Sequence, residues 1–522
     1  MTRARDIADS TKTLSVDGGT IKLDGNYPVG TGNVALGNTA LDSNVSGNAN
    51  TAIGNNALTA NTASDNTGLG YFSLENNTTG ASNVSVGRST MRSTTSGSYN
   101  TAIGRSALES NTTASNNTAV GYQAGYSNTT GTQLTAGGWR AFYSQTTPNE
   151  NTGFGYAAGY NTTTGASNSA LGKESLVSNT TGSFNTSFGA SALYSNTTAS
   201  NNTAVGYQAG YSNSTGNWNN YLGRGAGYSN TAGIHNSAFG EAALYSNTGS
   251  YNTAYGSTAL YSNTTANNNT AVGYQAGYSG TTSDGNVYLG YTAGYGTTGN
   301  LNTFIGASSG VSMSTGSKNT ILGRFTGNQG GLDIRTSSNN IVLSDGDGNP
   351  RLYIDSSANV IFSGGTAVPS SSTGGAAFDP NTNGRVILKL GTASTGNQGL
   401  AEFFNPNGQI GGIVVNGSAT SYNTSSDYRL KENVVELTGA TDRLKQLNPS
   451  RFNFIADADT TVDGFLAHEV QDIVPEAITG TKDAVDADGN PEYQGIDQSK
   501  LVPLLVATIK ELEARITALE NA

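Results

Sequence analysis

From Gly37 to Gly323 a glycine returns every 17 residues, and three times after 16, to give 18 copies of one short block. A metre this strict marks an array in which each copy packs on its neighbours. Seventeen residues are too few for a helix pair. They suit one coil of a β-solenoid, with two short strands and two turns. Four residues before the glycine stands Asn in 17 of the 18 copies, as at Asn50, Asn100 and Asn202. Immediately before the glycine comes Ile, Val, Leu, Phe or Tyr, except at Gly137. Three residues after it comes Ala, Ser or Thr, then Leu, Met, Phe or Gly. Small and branched apolar residues at fixed phase predict a thin core. Glycine supplies a left-handed or close-approach corner. The Asn column predicts amides stacked from coil to coil. With strands ~4.8 Å apart, 18 coils make a β-rod of roughly 85 Å.

A second column is aromatic. Five residues after the glycine stand Tyr126, Tyr143, Tyr160, Tyr194, Tyr211, Tyr228, Tyr245, Tyr261, Tyr278 and Tyr295. The column reads either as a stripe for sugars or a receptor, or as a ladder that stabilises the rod or a subunit interface. The Asn-x-Ser/Thr triplets follow from the repeat composition and carry no weight.

Composition narrows the chemistry. The chain has no Cys and only two His, His235 and His468. That excludes a disulfide framework and a thiolate metal site, and leaves no material for a multi-histidine centre. No cofactor or metal is expected. A net charge of −11 speaks against nucleic acid. No 18-residue apolar run predicts membrane insertion, and Met1–Tyr27 lacks the apolar core of a secretory signal.

The charge is uneven. Residues 427–522 carry 18 acidic and 9 basic side chains, net −9, so the preceding 426 residues carry only −2 of the total −11. A composition break therefore lies near Asp427. The expected domains are a segment 1–32, an 18-copy shaft 33–327, a β-rich neck 328–425 and a C-terminal α+β block 426–522. In the neck, Asn340–Leu343, Arg351–Asp355, Val386–Leu390 and Gly412–Val415 read as short strands, and Pro369–Gly375 as a loop. The acidic turn Asp345–Asn349 lacks the ligand set of a calcium hand.

The C-terminal block opens on Ser425–Val434, which reads Ser-Ser-Asp-Tyr-Arg-Leu-Lys-Glu-Asn-Val. Leu437, Ala440, Leu444 and Leu447 follow at amphipathic spacing, then strand-like Arg451–Phe454 and Gly464–Val470. A helix is predicted from about Leu501 to Glu520. Val502, Leu505, Ile509, Leu512, Ile516 and Leu519 take heptad positions, with branched residues at a and Leu at d. This pattern permits two or three strands; a packing face on its own domain is the alternative.

Two resemblances rest on these residues. The glycine blocks resemble the head repeats of trimeric bacterial adhesins of the YadA type, over about residues 33–327, with a longer period here. The motifs from Ser426 through Gly464–Val470 and Pro475, ending in the heptad helix, resemble the endosialidase-type intramolecular chaperone that ends many phage tail fibres and tail spikes. His468 stands where that family often has Gln. The resemblance implies a homotrimer whose terminal block templates the upstream β-structure and then cuts itself off. Ser426 and Lys431 would form the dyad, and Ser426–Asp427 would be the bond cut. A serine needs a base, and a neutral lysine can serve once burial or a positive neighbour such as Arg429 lowers its affinity for a proton. Read without the resemblance, Ser426 caps a helix and Lys431 is solvated.

The resemblance further implies a virion fibre made in the host cytoplasm. Its N-terminus would be held by a baseplate or another tail protein, and its surface would meet a host glycan or protein. A bacterial surface adhesin or filament is the alternative. A depolymerase is disfavoured, because glycosidases need two positioned carboxylates and no acidic pair recurs in phase along the shaft.

Overall fold

The computed structural model describes residues 21–22, 30–362, 375–380, 386–391, 398–405, 408–455, 457–486 and 489–522. The expected segment 1–32 lies almost wholly outside them, as does the loop Pro369–Gly375 except for Gly375, which opens a strand. The chain divides into two compact units, residues 1–402 with 412–422, and residues 403–411 with 423–522.

The first unit is the solenoid. Each copy contributes a three-residue strand, from Val34–Leu36 to Thr320–Leu322, paired parallel and in register with the next. Thr101, Ala102 and Ile103 thus face Thr118, Ala119 and Val120. The glycine ends the strand. Gly104 has φ +131°, and a Cβ there would lie 2.4 Å from the carbonyl oxygen of Gly121, so no other residue fits the corner.

Two expectations need correction. Each coil has one strand, not two. The remaining sides run through residues in the left-handed region, such as Ser106 (φ 58°), Leu108 (φ 48°) and Asn116 (φ 60°). These alternate with single bonds between coils, for example Leu108 N–H to the Ala124 carbonyl at 3.0 Å. A strand cannot run through such a sequence of conformations. The second correction concerns the core. The branched residue before the glycine points outward, with Ile103 41% and Val120 43% exposed. The core is built from Ala two residues before the glycine, Ala or Ser three after it and Leu four after it, such as Ala102, Ala107 and Leu108. A coil this narrow holds alanine opposite leucine and nothing larger on both sides.

Exceptions compensate one another in space. Tyr221 takes an alanine position and lies between Gly210 and Gly227, where a Cβ would meet its ring at 2.6 and 2.1 Å. Leu134 is the one residue that breaks the Asn column. Its side chain fills the room beside Gly125, whose missing Cβ would sit 2.9 Å from it.

The Asn column is internal. Asn117 N–H donates to Asn100 Oδ1 at 3.0 Å, and Asn100 Nδ2 donates to the Ala114 carbonyl at 2.9 Å. A second Asn column, seven residues after the glycine, was not anticipated. There Asn213 donates to Asn196 Oδ1 at 3.1 Å and Asn230 to Asn213 Oδ1 at 3.0 Å. It was legible in the sequence at a fixed phase, as Asn44, Asn61 and Asn111 show.

Beyond the eighteenth copy a small hairpin, Asn328–Gln329 with Leu332–Asp333, interrupts the period. Ile341–Ser344 then stacks on Thr320–Leu322 as one more coil, and Asn340 joins the Asn column. Antiparallel strands Pro350–Ile354, Val360–Phe362, Gly375–Pro380 and Val386–Gly391 follow. Gln398–Asn405, Gly408–Asn416 and Ala419–Thr424 form a three-stranded sheet. At the turn after Ile341–Ser344 the Asn349 amide, then Arg351, hold the Asp345 carboxyl down to about 2. Its oxygens serve its own turn.

The second unit is small and α+β. Ser450–Phe454 pairs antiparallel with Asp457–Gly464, and Ile478–Thr479 with Gly495–Ile496. Strand structure ends at Gly464; the Ala467–Gln471 segment expected as strand-like is helical. The core joins Ala440, Val470, Val474, Ala477, Leu501 and Leu504. The final helix is Val502–Glu520.

Candidate functional site

Asp427 organises the start of the second unit. Its side chain accepts from the Arg429 backbone N–H at 2.8 Å and so caps the short 3-10 turn Tyr428–Leu430. That turn reverses the chain. Lys431 returns over Ser426, and its Nζ donates to Ser426 Oγ at 2.7 Å. On an α-helix, residues five apart would be ~140° apart; the tight turn removes that obstacle. Ser426 is therefore not the cap; Asp427 is.

Arg429 is also placed otherwise than expected. Its guanidinium pairs with the Asp427 carboxylate, at 3.0 and 2.7 Å, rather than facing the lysine. The pairing pulls the Asp427 carboxyl below its usual range and raises Arg429. Ser426 and Lys431 are both exposed within this chain. The arrangement brings a hydroxyl and an amine into contact beside the Ser426–Asp427 peptide. His468 is exposed on the helix Ala467–Gln471, away from this chemistry in sequence and element.

The terminal helix carries two stripes. It packs on its own unit through Leu501, Leu504 and Thr508, all buried. Glu511 continues that stripe and accepts from the Ala440 and Thr441 backbone N–H groups at 2.8 Å each, and from the Thr441 hydroxyl at 2.5 Å. It thereby caps the helix Ala440–Leu444, which Gly439 leaves without a side-chain cap. The heptad residues Val502, Leu505, Ile509, Leu512, Ile516 and Leu519 form a different stripe, and all are exposed, Ile509 by 64%. Leu437, expected in the amphipathic set, instead lines an open groove with Val502, Val506 and Lys510.

In the solenoid the tyrosines stack. From Tyr194 to Tyr295 successive rings lie 4.9–5.1 Å apart with interplanar angles of 3–11°. Each interior ring gives both faces to its neighbours, so the ladder presents edges and hydroxyls, not faces. Among the described residues no helix is long and apolar enough to cross a membrane.

Residues 426–479 match the family model described as chaperone of endosialidase, so the C-terminal part carries that domain. The chain is similar to the long tail fiber protein Gp37 of Enterobacteria phage K3, 30% identical over 157 residues, 27% of this chain and 12% of that protein. It is also similar to the long tail fiber protein Gp37 of Enterobacteria phage T2, 34% identical over 100 residues, 18% of this chain and 7% of that one. The matches thus span about a tenth of the length of these relatives. No solved structure matches the chain.

Proposed function

We propose that this chain is a structural subunit of a phage tail fibre, folded as a homotrimer by its C-terminal domain and then cut between Ser426 and Asp427. The observation that carries the reading is the chaperone-of-endosialidase match beginning at Ser426, downstream of the stacked array. Similarity to two long tail fibre proteins supports the virion assignment. Residues 1–32 attach the fibre to a baseplate or another tail protein, and the shaft meets a host-surface glycan or protein. The chain is made in the host cytoplasm and assembles there into the virion.

Trimer formation is supported by two unpartnered apolar stripes: the heptad residues of the terminal helix, and the outward column before the corner glycines. Large exposed apolar rows of this kind mark association surfaces. Association also supplies what cleavage needs. Covering Ser426 and Lys431 excludes water, and desolvation favours a neutral amine. Neutral Lys431 then takes the Ser426 hydroxyl proton as Oγ attacks the carbonyl carbon of residue 426. The proton passes to the departing Asp427 amine, and water hydrolyses the resulting ester. Attack by a serine on its own carbonyl would close a four-membered ring. The attacking hydroxyl therefore comes from a neighbouring chain, so cleavage follows assembly. Co-expression of a tagged Ser426→Ala chain with wild type tests this: the tagged chain is expected to be cut within mixed trimers, and a tagged chain that stays whole beside cut neighbours contradicts it. Peptide mass spectrometry of purified virions tests the assignment itself; a chain absent from virions and present on a bacterial surface overturns it.

A further inference from the structure

In a stacked array each column repeats its rule, and a departure that stacking does not explain points to function. Two residues after the corner glycine, 17 of 18 copies carry a side chain; Gly225 is the exception, and Ala242 follows it in the next coil. Here a notch of about 320 Å³ opens against Tyr228 and Tyr245, with Gln208 and Thr258 continuing the depleted column on either side. Arg224 and Glu241, from adjacent coils, line the notch and pair with each other. Their side chains are 69% and 53% exposed, a setting in which an ion pair contributes little stability. The pair is better understood as surface for a ligand.

We propose that this notch binds a neutral saccharide, which deepens the attachment reading and rests on it. Three features select that chemistry. Glu241 neutralises Arg224, so the site offers no net charge to an anion. Gln208, Thr258, Arg224 and Glu241 supply donors and acceptors of both kinds at one surface. The stacked tyrosines supply apolar ring edges and hydroxyls, while their faces are held by neighbours 4.9 Å away at Tyr228–Tyr245 and 5.1 Å away at Tyr245–Tyr261. A ring of hydroxyls on an apolar C–H body matches this surface by edge contact and hydrogen bonding. The volume falls at the lower end of small-ligand sites, enough for one or two sugar units.

The array provides a substitution that closes the notch without disturbing the coil. Gln123, Gln208 and Gln275 occupy the same column with φ of 54°, 55° and 53°, so Gly225→Gln restores the common pattern. A Cβ at 225 meets only the Tyr245 ring, at 3.4 Å or more. The experiment is saturation-transfer NMR on the purified full-length protein. The probes are millimolar neutral oligosaccharides of glucose, galactose, mannose and N-acetylglucosamine. At least one probe is expected to receive saturation. Gly225→Gln should lose at least tenfold in affinity while the protein stays folded, with only a small fall in melting temperature because φ +63° favours glycine, and Ser191→Gln, in the same column outside the notch, should bind as wild type. Glu241→Ala, at an exposed position, should also weaken binding. No transfer to any probe, or equal binding by Gly225→Gln, overturns the proposal. Virions that adsorb through this chain while the protein ignores all four probes would overturn the notch and leave the attachment reading standing. A chain absent from virions would overturn the attachment reading whatever the probes show.

Discussion

Asn202 lies fully buried between Asn185 and Asn219. Its Oδ1 accepts the Asn219 backbone N–H at 2.9 Å, and its Nδ2 donates to Asn185 Oδ1 at 3.3 Å. Replacing it with alanine strands the buried Asn219 N–H, at about 1–3 kcal/mol, while Asn185 Oδ1 keeps the backbone N–H of residue 202 at 3.1 Å. Because the neighbours share bonds, the losses couple rather than add. The triple variant Asn185→Ala, Asn202→Ala, Asn219→Ala is expected to melt well below wild type in a thermal scan. An unchanged melting temperature would show that the column does not hold the coils together. This part of the structure was legible, because an amide recurring at one phase has few reasons to do so except stacking. The left-handed residues were not legible. Leu58, Met91 and Phe142 have φ of 51°, 47° and 48°, and nothing in a leucine, methionine or phenylalanine announces a conformation that costs such residues roughly 1–2 kcal/mol. The stack imposes it.

At the scale of elements, the terminal helix carries two stripes, and only one was read from the sequence. The 3-4 heptad spacing was plain. The inner stripe, Leu501, Leu504, Thr508 and Glu511, ends in a threonine and a glutamate, so hydrophobic periodicity passed over it. Yet Glu511 ties this helix to Ala440–Leu444. Hydrogen bonds from the Thr441 hydroxyl, then from the Thr441 and Ala440 amides, hold the Glu511 carboxyl below its usual range. The sign follows. A depressed folded-state value gives stability that is present above the unfolded glutamate range, ~4.3, and is lost as pH falls through the lower folded value. An isolated block of residues 427–522 is expected to lose stability below about pH 4.3 in part through this group, and Glu511→Ala should lower its melting temperature at pH 7 and flatten that acid limb. Circular dichroism melts across pH check both; a variant with the wild-type acid profile would show that Glu511 does not link the helices. Inside and outside were also misassigned in the shaft, where Ile103 and Val120 looked like core. A strand only three residues long alternates out, in, out, so its central alanine takes the interior and both larger neighbours face away. Only the coil's narrow section decides that, and it is a tertiary fact.

The whole molecule carries a costly coil and, after it in the chain, a chaperone-type domain. Every copy asks for left-handed residues and for a partner coil before its amides are satisfied, so early stacking gains little and closure entropy must be met first. In the function proposed above, chains aligned by the terminal block would start that process together and, once stacked, would no longer need it. Its removal by the proposed cut would then raise the barrier to unfolding without changing the stack. Truncation before Asp427 is expected to yield insoluble repeats, whereas Ser426→Ala and Lys431→Ala should each give uncut but folded trimers. The most direct measurement is native mass spectrometry of the purified wild-type protein beside Ser426→Ala. The expected result is a trimer of chains ending at Ser426, with the 96 residues that follow Ser426 in the 522-residue chain released as a separate fragment, and an intact 522-residue trimer for the variant. Monomeric intact wild-type chains, or a Ser426→Ala protein cut as wild type, would contradict it.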